Sequence, residues 1–275
     1  MMRKPYVAGQ FYPGRARELR EALRGLTDPK APKEKAVAVI CPHAGYVYSG
    51  AVAGAVLSSV TVPDTVLLLG PSHSPIRPVF AVQDEGSWGT PLGEVPVASG
   101  LARLLLERCP SCRVDPKAHE REHSLEVQIP FLQHLAPFVT IVPVSVSHTA
   151  ALEDLAGLGR AAAEAVRDFG RDVLILASTD MSHYLSREEA REKDGLAIDR
   201  ILALDAEGLF DVVVREDISM CGFHPVAAAL VAAKELGAVR AELVRYATSG
   251  DVTGDDREVV GYAGFRVPAA GGPSR

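Results

Sequence analysis

Four stretches of the chain are built almost wholly from valine, isoleucine, leucine and alanine. They are Ala36–Cys41 (AVAVIC), Thr65–Leu69 (TVLLL), Val139–Val146 (VTIVPVSV) and Val173–Ala177 (VLILA). None alternates apolar with polar positions, so each predicts a strand covered on both faces rather than one. Pro143 argues against a central place for the third run, because proline cannot donate to a ladder. Between the strands the spacing predicts helices over Gly50–Ser59, Gly100–Arg108, Ser124–Leu135, Leu152–Phe169, Glu188–Leu204 and Pro225–Glu235, with a shorter one over Ala206–Val214. In the third of these, Pro130 is expected to kink the helix or end its first part. Glu242–Tyr246 and Val259–Val267 read as two further strands joined by the turn-rich ATSGDVTGDD, and residues 268–275 as a flexible tail.

Strands alternating with helices of this length predict one α/β domain over residues 1–267, with a mostly parallel or mixed central sheet and helices on both faces. The 275 residues are 47% hydrophobic and 23% charged with a net charge of −6, an ordinary globular balance that argues against nucleic acid or an anionic membrane as partner. No apolar run approaches the roughly 18 residues of a membrane span, and MMRKPYVAGQFYP lacks a signal-type apolar core, so the expected location is cytoplasmic.

In open α/β sheets ligands sit beyond the carboxyl ends of the strands. Three predicted strand ends carry polar chemistry: PHAGYVYSG with His43, GPSH with His73, and STDMSHY with Asp180 and His183. MCGFHP adds Cys221 just before a helix, and HEREHSLE forms a further polar knot. Any one of these histidines has a structural explanation as a hydrogen-bonded residue; together, at one edge of one sheet, they suit a metal site with an acid/base group alongside. His119, His134 and His148 have no motif around them and read as surface or packing residues. GLGRAA (157–162) imitates a dinucleotide fingerprint but follows a helix, not a strand, and is rejected. CPSC (109–112) has the spacing of a redox or zinc pair, yet stands alone after a helix and reads as a loop feature. The small-residue run SGAVAGAVLSSV suits close packing of a helix on the sheet, or on a second subunit.

The stretches VAGQFYP, PHAGYVYSG, GPSH, TPLGEVPV, EHSLEVQIPFLQ, STDMSHY and MCGFHP, in that order from Val7 to about Val267, resemble the Memo family, specifically its prokaryotic branch called AmmeMemoRadiSam system protein B. That family resembles the class III, LigB-type extradiol dioxygenases, which are non-haem Fe(II) enzymes of α/β fold. The resemblance implies His43, His73 and Cys221 as metal ligands, with Fe(II) as the metal ahead of copper or zinc. It implies His183 as acid/base with Asp180 beside it, and His123 in the pocket. For an oxidoreductase, Asp180 would orient His183, Glu122 would line the pocket with His123, and Tyr46 and Tyr184 would supply hydroxyls or ring walls. Cysteine replaces the carboxylate of the usual facial triad, which softens the donor set. The activity so implied is an oxidoreductase acting on a dihydroxy-aromatic or similar molecule. Two other readings stay open: a non-catalytic adaptor holding a peptide or anionic ligand in the same cleft, and a zinc-dependent hydrolase. The family's name further implies a pathway shared with a radical-SAM protein and an AMMECR-type protein.

Overall fold

The computed structural model describes residues 1–76 and 78–269. In chain order the strands are β1 (Met2–Arg3), β2 (Ala36–Cys41), β3 (Thr65–Pro71), β4 (Phe80–Val82), β5 (Ser87–Thr90), β6 (Gly93–Pro96), β7 (Cys112–Val114), β8 (Thr140–Val146), β9 (Leu174–Ser178), β10 (His183–Leu185), β11 (Glu242–Thr248) and β12 (Val259–Pro268). The helices are α1 (Ala16–Leu26), α2 (Tyr46–Ser58), α3 (Ser99–Arg108), α4 (Ile129–Leu135), α5 (Leu152–Phe169), α6 (Arg187–Leu202), α7 (Ala206–Arg215), α8 (Phe223–Glu235) and the single turn α9 (Gly250–Thr253).

The main sheet runs β10-β12-β2-β9-β3-β8-β4-β7, with β11 on the other side of β12. Its centre, β2-β9-β3-β8, is parallel throughout, and β12 and β4 flank it antiparallel. The mixed sheet expected from the sequence is therefore present. Alternate residues of the same strands face two separate cores. Ala38, Ile40, Leu67, Leu69, Ile175 and Ala177 join α3, α5, α7 and α8 on one face. Val39, Cys41, Val66, Leu68, Leu174 and Leu176 join α1, α2 and α4 on the other. Both faces being dry is why the strands read as unbroken apolar runs.

Pro143 does sit in a central strand. Its carbonyl accepts Gln83 N–H at 3.2 Å on the β4 side, just past the end of β4. A strand residue points its N–H and C=O to the same side, so the missing donor lies where the pairing has already stopped. At Pro130 the expected break is present. The stretch expected to be helical from Ser124 divides into a 3₁₀ turn, Glu126–Gln128, and α4, with Pro130 in the first turn, where no intrahelical N–H is needed. Within GLGRAA, a Cβ on Gly159 would lie 2.6 Å from the Ala228 carbonyl oxygen, so the glycine serves the crossing of α5 over α8. The run SGAVAGAVLSSV packs α2 onto its own chain: Gly54 faces the Leu26 carbonyl, and Val52 and Val56 face Gly264 of β12. At the other end, β12 continues one residue past the expected limit, and Ala269 N–H donates to Lys35 O at 3.0 Å. Residues 270–275 of the expected tail lie outside the described residues.

A small second sheet, β1-β5-β6, ties in the N-terminus. From β1, Arg3 lies 4.2 Å over the Trp88 ring and donates to His119 O (2.7 Å), Glu122 O (2.8 Å) and the Glu126 carboxylate (2.6 Å). Glu126 also accepts the N–H groups of Tyr6 and Val7 and the Tyr12 hydroxyl, at 2.7–3.0 Å. Both charged side chains are almost fully buried, at 3% and 1% exposure. Glu126→Ala should therefore destabilise the protein by about 3–5 kcal/mol, the cost of leaving a buried guanidinium without its counter-charge. Denaturant unfolding measures this, and a loss under about 1 kcal/mol would mean that the pair does not hold the N-terminal segment.

Candidate metal centre

His43, His73 and Asp180 each stand two residues past the last residue of β2, β3 and β9, which are adjacent and parallel. That arrangement alone brings them to one rim. The third imidazole comes from His123, in the loop that Arg3 and Glu126 clamp. One nitrogen from each of His43, His73 and His123 lies within 4.8 Å of the others. The ring centroids are 5.3 Å apart for His43–His73, 5.4 Å for His43–His123 and 4.5 Å for the stacked His73–His123 pair. Cys221 Sγ lies 3.2 Å from His43 Nε2.

His123, expected beside the substrate, stands with His43 and His73 in the imidazole cluster, and Cys221 lies against the His43 ring at its edge. Cys221 reaches the site because Gly222 lies flush against the end of β9. A Cβ there would meet the Ser178 carbonyl oxygen at 2.3 Å, and Gly222 N–H donates to Thr179 Oγ1 at 3.0 Å.

Hydrogen bonds fix which nitrogen His43 and His73 present. The Ser178 hydroxyl donates to Ser124 O (2.7 Å), so it accepts from Gln128 Nε2 (3.0 Å) and from His43 Nδ1 (2.9 Å). His43 thus carries its proton on Nδ1 and turns a bare Nε2 toward Cys221. Glu122 acts similarly on His73, accepting its backbone N–H at 2.6 Å and its Nδ1 at 2.9 Å, plus Ser124 N–H at 2.8 Å. Glu122 is therefore a buried acceptor that fixes the His73 ring and main chain. His123 has no hydrogen-bond partner for its ring among the described residues. It is wedged between His73 and Phe11 (4.7 Å), with Nδ1 3.6 Å from Glu122.

The charges follow from these contacts. Burial, with the neighbouring rings, holds His43 well below an ordinary imidazole, and burial lowers His123. Burial also pulls on His73, but the hydrogen bond and charge of Glu122 outweigh it and raise that ring. In return His73 holds Glu122 ionised far below the usual carboxylate range, against its own burial. Burial, reinforced by Asp180, pushes the Cys221 thiol up.

Asp180 does not orient His183, as expected from the sequence. Its carboxylate accepts the His43 backbone N–H at 2.7 Å, and burial lifts it to about 6. His183 Nδ1 donates instead to Ser219 O (2.9 Å), and its backbone N–H to Ser219 Oγ (2.7 Å), leaving Nε2 as the bare nitrogen. Tyr46 is also turned away from the site: its buried hydroxyl donates to Val127 O at 2.7 Å. Tyr184 is 75% exposed in a left-handed conformation (φ 59°), its ring 5.9 Å from that of His183. Sequence reasoning missed Ser178, Gln128, Ser219 and Phe11, whose signal is weak because each works through one contact fixed only by the fold.

Three imidazoles and a neighbouring thiol offer nitrogen and sulfur donors, which suit a borderline transition ion better than calcium or magnesium. Among the described residues, no helix is long and apolar enough to cross a membrane. Residues 3–266 match the family described as Memo-like protein. A MEMO1 family protein of Pyrobaculum arsenaticum is 43% identical over 95% of this chain and 97% of its own length. One from Desulfurococcus amylolyticus is 39% identical over 96% and 98%. The crystal structure of an uncharacterized protein from Escherichia coli K12 shares the fold at 15% identity, with a TM-score of 0.50, covering 82% of this chain and 98% of its own. With the profile spanning nearly all of the chain and relatives matching end to end, this protein belongs to the Memo family.

Proposed function

We propose that the chain is a metal-dependent oxidoreductase with a dioxygenase-like centre, holding Fe(II) through His43, His73 and His123 with Cys221 as a further donor, and acting on a chelating, dihydroxy-aromatic type of substrate. The observation that carries the reading is the convergence of three imidazole nitrogens within 4.8 Å, with a second, separately oriented histidine base nearby. A bound ferrous ion would supply O₂ chemistry and coordination sites for the substrate's oxygens.

The chain's own groups would do the rest. Ser178 and Glu122 hold two rings in the ligating tautomer, as outer partners of metal-bound histidines do. His183 Nε2 takes a proton from a substrate hydroxyl and later returns it, while the Ser219 carbonyl keeps Nδ1 protonated. A second reading, a zinc-dependent hydrolase, is favoured by the third ligand being an imidazole instead of a carboxylate, since three histidines and an open position also describe catalytic zinc.

Anaerobic titration with Fe(II), Zn(II) and Co(II) tests the site. One ion per chain is expected, with a thiolate-to-Co(II) absorption that Cys221→Ser removes and binding that His43→Ala and His123→Ala each abolish. O₂ uptake with a panel of catechols, lost in His183→Ala at unchanged metal content, supports the oxidoreductase. Turnover with zinc in the absence of O₂ supports the hydrolase, and retention of full metal binding in both His→Ala variants would end either reading.

Metal affinity should also depend on pH through His73. Protons compete with the ion at that ring, and Glu122 raises its pKa, so affinity is full at alkaline pH and falls on acidification through a window lying above that of a free imidazole, about 6.5. Glu122→Gln should weaken binding by about 10–100-fold at pH 8 and move the acid limb to lower pH. Competition titrations from pH 5.5 to 8.5 measure both, and an acid limb unchanged in the variant would show that Glu122 does not govern His73.

A further inference from the structure

Away from the metal centre, Cys109 closes α3 and Cys112 begins β7, and both side chains are buried as free thiols. Cys112 N–H donates to Cys109 O at 2.9 Å, closing a four-residue turn with Pro110 at its second position, the place a β-turn favours for proline. Such a turn keeps its first and last Cα atoms within about 7 Å, inside the span that a disulfide bridges without moving the backbone. The two side chains lie close enough for each to influence the other's ionisation. They are not equivalent. A hollow of about 310 Å³ is lined by Cys109 and Pro110 of the turn and by the charged residues Glu153, Asp154, Arg160 and Glu164 of α5, but not by Cys112. Cys112 is instead held in the ladder opposite Phe80 of β4.

We propose that Cys109 and Cys112 form a redox-active dithiol that exchanges with small disulfides, Cys109 being the sulfur that attacks and Cys112 the one that resolves. The Cys109 thiolate attacks one sulfur of a disulfide RS–SR. A Cys109–S–S–R bond forms, and RS⁻ leaves and takes a proton from solvent. Cys112 then loses its proton, attacks Cys109 Sγ and expels the second RS⁻, which is protonated in turn. The pair loses two electrons, RS–SR gains them, and the products are an intramolecular disulfide and two RSH. Consistent with this order, the Cys109 thiol is lowered to about 7 by the Cys112 S–H beside it, while that hydrogen bond and burial push Cys112 up. A thiol near that value attacks disulfides well at neutral pH, because its thiolate is abundant and still nucleophilic.

The test uses the folded, full-length protein equilibrated with mixtures of glutathione and its disulfide, quenched with an alkylating agent and mapped by peptide mass. The expected result is a Cys109–Cys112 disulfide that forms and reverses with the ratio, while Cys41 stays alkylatable after denaturation. Cys112→Ser should accumulate glutathione on Cys109, whereas Cys109→Ser should leave Cys112 unmodified. Far-UV circular dichroism and metal content establish that both variants fold. Recovery of Cys109 and Cys112 as thiols at every ratio in the wild type, or oxidation confined to Cys221, would overturn the proposal. An adduct on Cys112 in Cys109→Ser, as extensive as that on Cys109 in the other variant, would overturn the order of attack.

Discussion

Two buried carboxylates four residues apart hold the centre together. Glu122 turns toward the sheet and takes both the ring and the main chain of His73; Glu126 turns the other way and takes Arg3, two backbone N–H groups and the Tyr12 hydroxyl. Between them lies His123. A loop at a sheet rim has no ladder to hold it, and its polar backbone would ordinarily keep it on the surface. Here Arg3 satisfies the carbonyls of His119 and Glu122 from inside, so the loop can be buried and can hold an imidazole that makes no hydrogen bond of its own. The position of His123 is thus set from the first strand of the chain, more than a hundred residues away.

Three further polar residues of the rim come from the parallel centre of the sheet. Adjacent parallel strands end at the same rim, so β2, β9 and β3 deliver His43, Asp180 and His73 side by side. The helices on both faces keep that rim rigid, and each ring is then set by one acceptor: the Ser178 hydroxyl for His43, Glu122 for His73 and the Ser219 carbonyl for His183. Precision in this site belongs to hydrogen bonds that cross between elements, and the fold's part is to bring those elements to one edge.

That division explains what the sequence makes legible. β2 and α5 fall at the expected residues, because a doubly buried strand and an 18-residue helix leave long periodic signals. His43, His73 and Cys221 are recognisable because strand ends and glycine-flanked turns mark them. Short elements leave too few positions to show a period, and β4, β5, β6 and β7 go unread. α1 is a different case. Leu19 and Leu23 at one-turn spacing are buried and did carry a signal, masked by the five charged residues around them. The place of His123 within the imidazole cluster, and Asp180 pairing with the His43 main chain instead of the His183 ring, have another cause. Residues within a few ångströms of each other are equally plausible partners until backbone geometry chooses.

The same geometry makes an electrically consistent site in two states. Burying three imidazoles and a carboxylate together would be costly if Glu122 were an isolated charge. With His73 protonated, Glu122 has its counter-ion, and the pair is neutral beside two rings that burial keeps uncharged. A divalent cation would replace that proton as the partner of the same carboxylate, acting through the ring between them. The His73 pKa being raised, this ion pair stabilises the metal-free protein at low pH and fades as pH rises through it, which is the range in which a metal competes best. A proton on His73 and a cation would thus be alternative partners of one buried carboxylate, and the Cys221 thiol, held protonated by burial and Asp180, would add negative charge only where a cation displaced its proton. The acceptors that orient His43 and His73 are already hydrogen-bonded in place.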